Sequence, residues 1–147
     1  MRPFHSFPKI GRLVAALAVL AVAAPLRAGD NVPFEAELTV IFAGSDGNVR
    51  VFDVAGIATL MGPVTGEVRD QDRGPRSVGT LLLQGANGDT LFLSYALAEG
   101  EPGQFGGFYT VEGGTGRFAG ATGGGMIIGR DVALGVFDVT LEGTISF

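Results

Sequence analysis

At 147 residues with no cysteine and a formal net charge of −5, the chain is sized for one domain held by its core and not by disulfides. The acidic balance argues against nucleic acid as a partner, because phosphate rewards Lys/Arg patches. The missing thiols exclude cysteine nucleophiles and thiolate metal sites.

The first stretch reads as an export signal. Arg2, Lys9 and Arg12 form a basic head, and Leu13 to Leu26 is almost wholly apolar. That run suits a signal-peptide core and is short of a bilayer span. Pro25 can break the helix, and Ala28 offers a small residue before a cut. Residues 1–28 are therefore expected to be a cleaved signal peptide and 29–147 a single exported domain, secreted or periplasmic. Contact with a membrane is expected only through that signal.

Processing would remove Arg2, Lys9, Arg12, Arg27 and His5. The remainder keeps six arginines against fifteen acids, a net charge of −9, with no lysine and no histidine. No Ser–His system, imidazole metal site or lysine Schiff base can be built from it. No cofactor is expected.

The rest of the chain alternates. In Phe34–Phe42, the residues Phe34, Ala36, Leu38, Val40 and Phe42 share one side; Glu35, Glu37 and Thr39 share the other. This is the period of a half-buried strand with its acids outward. Gly44-Ser-Asp-Gly-Asn48 is a turn. Val49–Met61 is a second strand, and Val64–Val68 a short third. Arg69-Asp-Gln-Asp-Arg-Gly-Pro-Arg76 reads as a solvated charged loop, since its charges nearly cancel and carry no ligand spacing. Val78–Ala86 and Thr90–Ala98 flank Asn87-Gly88-Asp89, a strong hairpin signal. Leu91, Leu93, Tyr95 and Leu97 share a face. Gln104–Glu112 is a further strand.

Gly113–Gly125 reads as a tight turn with one helical turn around Phe118, followed by a strand over Gly124–Val132. Leu134–Phe147 is the last strand, with Phe137, Val139, Leu141 and Ile145 inward. Val51-Phe-Asp-Val54 recurs as Val136-Phe-Asp-Val139, too short a repeat to mark a duplication. Seven or eight strands joined by short turns, with no helical periodicity after residue 28, predict an all-β fold. The expected form is an antiparallel barrel of about eight strands, because closure removes exposed edges. At that size the interior holds packed side chains or one small ligand.

Gly114-Thr-Gly-Arg-Phe-Ala-Gly120 has a superficial likeness to a dinucleotide fingerprint. A strand follows it, not the helix that would receive a pyrophosphate. Gly106 to Gly125, Gly-Gly-Phe-Tyr-Thr-Val-Glu-Gly-Gly-Thr-Gly-Arg-Phe-Ala-Gly-Ala-Thr-Gly-Gly-Gly, instead resembles the signature of the allene oxide cyclase-like barrels. Plant dirigent proteins and many small secreted bacterial proteins share that barrel. Ala86-Asn-Gly-Asp-Thr-Leu, Gly56-Ile-Ala-Thr-Leu and the ending Leu141-Glu-Gly-Thr-Ile-Ser are similar to the bacterial members. The resemblance covers about residues 50–147 and implies an eight-stranded barrel with an apolar cavity. Some relatives cyclise or steer reactive hydrophobic intermediates. The thiol associated with the plant cyclases has no counterpart here.

Four functions are consistent with these residues. The first is a non-enzymatic module binding a small hydrophobic molecule among Leu91, Leu93, Tyr95, Tyr109, Met126, Phe137 and Val139, since such pockets combine apolar walls with few polar groups. The second is a cyclase or isomerase that orients a reactive intermediate without a strong nucleophile. The third is a filled barrel with a structural or surface-interaction role. The fourth is a small outer-membrane barrel, suggested by the terminal Phe147 and the alternating last strand. Glu112 and Arg117 border the glycine turn; Glu112, if buried, could serve as a general acid or base, but it reads first as outward-facing or paired with Arg117. Tyr95 and Tyr109 either fill the interior or present hydroxyls to a ligand.

Overall fold

The computed structural model describes residues 30–147. The expected export signal lies outside the described residues. Eight strands follow in chain order: β1 (Val32–Asp46), β2 (Val49–Ala58), β3 (Gly62–Asp72), β4 (Arg76–Gly85), β5 (Thr90–Glu99), β6 (Gln104–Gly114), β7 (Thr122–Ala133) and β8 (Val136–Ser146). Each pairs with the next, and β8 returns to β1, so the sheet is a closed antiparallel barrel. Closure leaves no strand edge open for pairing with another chain.

The two-residue alternation decides what lies inside. Along β1, Val32, Phe34, Ala36, Leu38 and Val40 are buried and the residues between them exposed. β8 does the same with Val139, Leu141 and Ile145 inside and Thr140, Glu142 and Thr144 outside. The short repeat also has a structural sense. Phe52 and Phe137 occupy matching positions on β2 and β8, and their rings meet edge-on at 5.8 Å between centroids.

The two ends of the barrel differ. At one end a single 3-10 turn, Gly116–Phe118, folds inward and fully buries Phe118. Its ring packs edge-on against Phe147 at 5.2 Å, and the Arg117 guanidinium lies 4.9 Å from its centroid. Arg117 also donates to the carbonyl of Leu60 in the β2–β3 turn, tying the cap to the opposite wall. Phe34, Leu83, Leu91, Leu93, Leu141 and Ile145 fill this half with almost no exposure. At the other end lie the β1–β2, β3–β4, β5–β6 and β7–β8 turns, and there the interior stays open.

One expectation is corrected. The stretch from Arg69 to Arg76 is not wholly a solvated loop. β3 continues to Asp72, pairing Arg69, Asp70, Gln71 and Asp72 with Thr80, Gly79, Val78 and Ser77 of β4. The alternation Val64, Gly66, Val68 carries on through Asp70 and turns that carboxylate into the barrel, where it is 4 % exposed. The true turn is Arg73-Gly74-Pro75, with Arg73 N–H donating to the Arg76 carbonyl at 2.8 Å.

A candidate binding site at the open end of the barrel

The open half encloses a cavity of about 530 Å³, within the range of pockets that take drug-sized molecules. Its deep walls are apolar: Leu38 and Val40 from β1, Val68 from β3, Leu81 from β4, Ile127 from β7 and Val139 from β8. Phe105 and Phe137 stand higher, in edge-on contact at 5.8 Å. With Phe52 they make an aromatic row along one side of the mouth.

One polar cluster sits among these walls. Asp70 is the buried acid of the described residues, and it is held from two sides. Its Oδ1 accepts the Tyr95 hydroxyl at 2.6 Å. Its Oδ2 accepts Arg50 Nη2 at 2.5 Å and Nε at 3.2 Å. Arg50 Nη1 lies 3.4 Å from Asp72. A buried carboxylate is costly unless hydrogen-bonded and paired, and Asp70 has both kinds of partner.

The backbone explains how Tyr95 reaches across. Asp70, Gly79 and Tyr95 lie side by side on β3, β4 and β5. The hydroxyl end of the phenol passes over Gly79, where a Cβ would collide with it and with the Arg69 carbonyl oxygen. Glycine at that position opens the path. Burial raises the Tyr95 phenol well above its ordinary pKa, and the hydrogen bond and nearby charge of Asp70 add to this; Arg50 opposes it weakly. For Arg50, desolvation lowers the pKa, but the hydrogen bond and charge of Asp70 outweigh it and the net shift is upward.

Tyr109 repeats the geometry without the acid. It sits beside Gly125 on β7, which in turn sits beside Gly143 on β8. The phenol approaches Gly143, in the place where Tyr95 meets Asp70. Its hydroxyl is buried and has no hydrogen-bond partner among the described residues. Burial pushes its pKa up to about 12.

The sequence-derived candidates are scattered by the fold. Tyr95, Phe137 and Val139 line the cavity. Leu91 and Leu93 are buried in the packed half and Tyr109 lies inside, but none of the three lines it. Met126 is half-exposed on the outer surface beside Phe108. Glu112 also faces outward, accepting the Ser94 hydroxyl at 2.6 Å. Arg117 belongs to the closed end. Sequence reasoning missed Asp70 and Arg50. The signal for Asp70 was present, as the two-residue rhythm running on from Val64 and Val68 into the charged stretch.

No protein-family model matches the chain, and no curated protein matches it. Among solved structures, the chain is similar to the pterocarpan synthase dirigent protein GePTS1, with a TM-score of 0.52 and 15 % identity, covering 84 % of this chain and 89 % of that one. At that identity the likeness concerns the fold alone: this protein has a dirigent-like eight-stranded barrel.

Proposed function

We propose that this is an exported barrel that binds a small, largely apolar molecule in its open half. The apolar body would rest on Leu38, Val68, Leu81 and Val139, and its polar group would meet Asp70 and Tyr95. The observation that carries this is the pairing of a 530 Å³ cavity with a single hydrogen-bonded polar cluster on its wall. A filled structural barrel needs neither. The glycine-rich resemblance to allene oxide cyclase-like barrels supports the same conclusion. Export rests on the apolar run and basic head of residues 1–28.

A transmembrane barrel is disfavoured by the direction of the alternation. Lipid-spanning barrels face apolar residues outward, whereas β1 and β8 face theirs inward and carry Glu35, Glu37, Asp138 and Glu142 on the outer side.

A second function, templating a reactive apolar intermediate, is favoured by the polar cluster lying inside the cavity. GePTS1 is a pterocarpan synthase dirigent protein. Orienting an intermediate needs a shaped wall and one directional hydrogen bond, not a nucleophile.

Native mass spectrometry of the protein purified from its own host tests the binding function. A bound mass that disappears on denaturation, and that stabilises the stripped protein to heat when added back, is the expected result. A host-purified protein without bound mass, whose melting point is unmoved by a panel of apolar small molecules, would overturn it.

A further inference from the structure

We propose that the ligand of this cavity is an organic cation: an apolar or aromatic body carrying a protonated amine. The inference rests on the cavity being a binding site, as argued above, and specifies the ligand's charge. It begins with the hydrogen-bond inventory at the buried cluster. Tyr95 has one proton and gives it to Asp70 Oδ1. Arg50 gives Nε and Nη2 to Asp70 Oδ2, and Nη1 faces Asp72. On the acid and the phenol, what remains for a ligand is acceptor capacity, a lone pair on the phenol oxygen and one on the carboxylate; of the five Arg50 N–H donors, three face Asp70 and Asp72 and two are left over. A donating ligand group completes the Asp70–Tyr95 pair, while one that only accepts finds the Tyr95 proton already committed and competes with two carboxylates for Arg50.

The mouth repeats the preference in charge. One step beyond the apolar lining, the lumen-facing positions of three strands turn acidic. Asp72 follows Asp70 on β3, Glu99 follows Leu97 on β5, and Asp131 follows Gly129 on β7, and all three border the cavity. Arg50 is the base at a lumen-facing position; its ion pairs go to Asp70 and Asp72, and its guanidinium also lies over the Phe52 ring. Glu99 and Asp131 form no ion pair among the described residues. The cavity lining carries five acids, Asp70, Asp72, Glu99, Glu101 and Asp131, against two bases, Arg50 and Arg76, and a low-dielectric cleft with an excess of one sign of charge concentrates ligands of the other.

The wall and the spacing decide what kind of cation fits. Phe52 already meets the Arg50 guanidinium at 5.9 Å; Phe137 and Phe105, the rest of the aromatic row, offer a surface on which ammonium groups gain cation–π attraction. A bare metal ion is not matched, because among the described residues no three acids converge closely enough to hold one. The acids surround the mouth, and the greasy volume lies below them. A molecule with a cationic head and an apolar body meets both.

Three probes of one shape test this on the purified protein: naphthylethylamine, naphthylethanol and naphthylacetate, titrated by calorimetry. The amine should bind at least about tenfold more tightly than the alcohol, and the carboxylate most weakly. Raising salt from about 50 mM to about 500 mM should shrink the advantage of the amine. Glu99→Gln combined with Asp131→Asn should narrow the ratio of amine to alcohol affinity, with the fold checked by circular dichroism. Equal binding of amine and alcohol, insensitive to salt, would overturn the cationic preference and leave the binding function standing. Failure of all three probes to bind would count against the binding function itself and take the preference with it.

Discussion

Two tyrosines on neighbouring strands hold similar poses and differ in one respect, and that difference makes a test. Tyr95 reaches over a glycine to a carboxylate; Tyr109 reaches over a glycine to another glycine. Tyr95→Phe removes the donor to Asp70 Oδ1 and leaves a buried carboxylate under-satisfied. Its expected cost is about 1–3 kcal/mol, measured by denaturant unfolding. Tyr109→Phe removes a hydroxyl that has no partner among the described residues, so it should be neutral or stabilising by up to about 1 kcal/mol. Equal costs for the two would refute the pairing of Tyr95 with Asp70.

The same phenols fix the alkaline limit of stability. Both have pKa values raised in the folded state, Tyr109 to about 12, whereas the unfolded chain ionises them near pH 10. Above about pH 10 the unfolded state holds fewer protons, so stability falls as pH rises through the folded values. The slope approaches about 1.4 kcal/mol per pH unit for each tyrosine. The chain has two tyrosines and no tryptophan, so phenolate absorbance should stay flat past pH 10 and then rise with unfolding. Ordinary titration near pH 10 in the folded protein would contradict the burial of both rings.

The segment between β6 and β7 decides which end of the barrel is closed. The glycines around it let Gly116–Phe118 turn inward, and Phe118 supplies the plug. Phe118→Ala removes a fully buried aromatic together with its contacts to Phe147 and Arg117. A loss of about 3–5 kcal/mol is expected, with new binding of a hydrophobic dye at that end. A second element-scale test concerns β3 and β4. Gly79→Ala sets a Cβ against the Arg69 carbonyl oxygen and the Tyr95 hydroxyl. The variant should destabilise the barrel and break the Tyr95–Asp70 bond, visible as a lowered tyrosine titration midpoint. An unchanged midpoint would show that the phenol does not pass over Gly79.

At the scale of the whole molecule, seven of the eight strand pairings join sequence neighbours, and the eighth, β1 with β8, closes the barrel. That last pairing spans the described chain and removes two open edges at once. Truncation before Val136 should therefore expose β1 and β7 together and drive association, seen as a shift to large species by size-exclusion chromatography. A monomeric, sheet-rich product would show that closure is dispensable. The division into a packed half and an open half also belongs to this scale. It arises because large side chains, Phe34, Phe118, Leu83 and Leu91 among them, fill one end, while the other carries Arg50, Asp70, Asp72, Glu99 and Asp131 facing the same space.

Much of the barrel was legible in the chain itself. Alternation at β1, β5 and β8 assigned the inner face, because a strand's side chains must point to opposite faces in turn; Phe42, grouped with the inward side of β1, is instead 47 % exposed beside the bulge between Phe42 and Gly44. Asn87-Gly88 marked a hairpin, and the glycine run around Phe118 marked the turn that plugs the barrel. The candidate site was far less visible. Asp70 sits in a stretch whose composition resembles any solvated loop, and Met126 sits in one whose composition resembles a core. Which acid is buried depends on register between strands distant in sequence: β3 had to run past Val68 for Asp70 to lie beside Gly79 and under the Tyr95 hydroxyl. Local periodicity is set by the backbone of each strand, but burial of a charge is settled by the partners that closure brings around it.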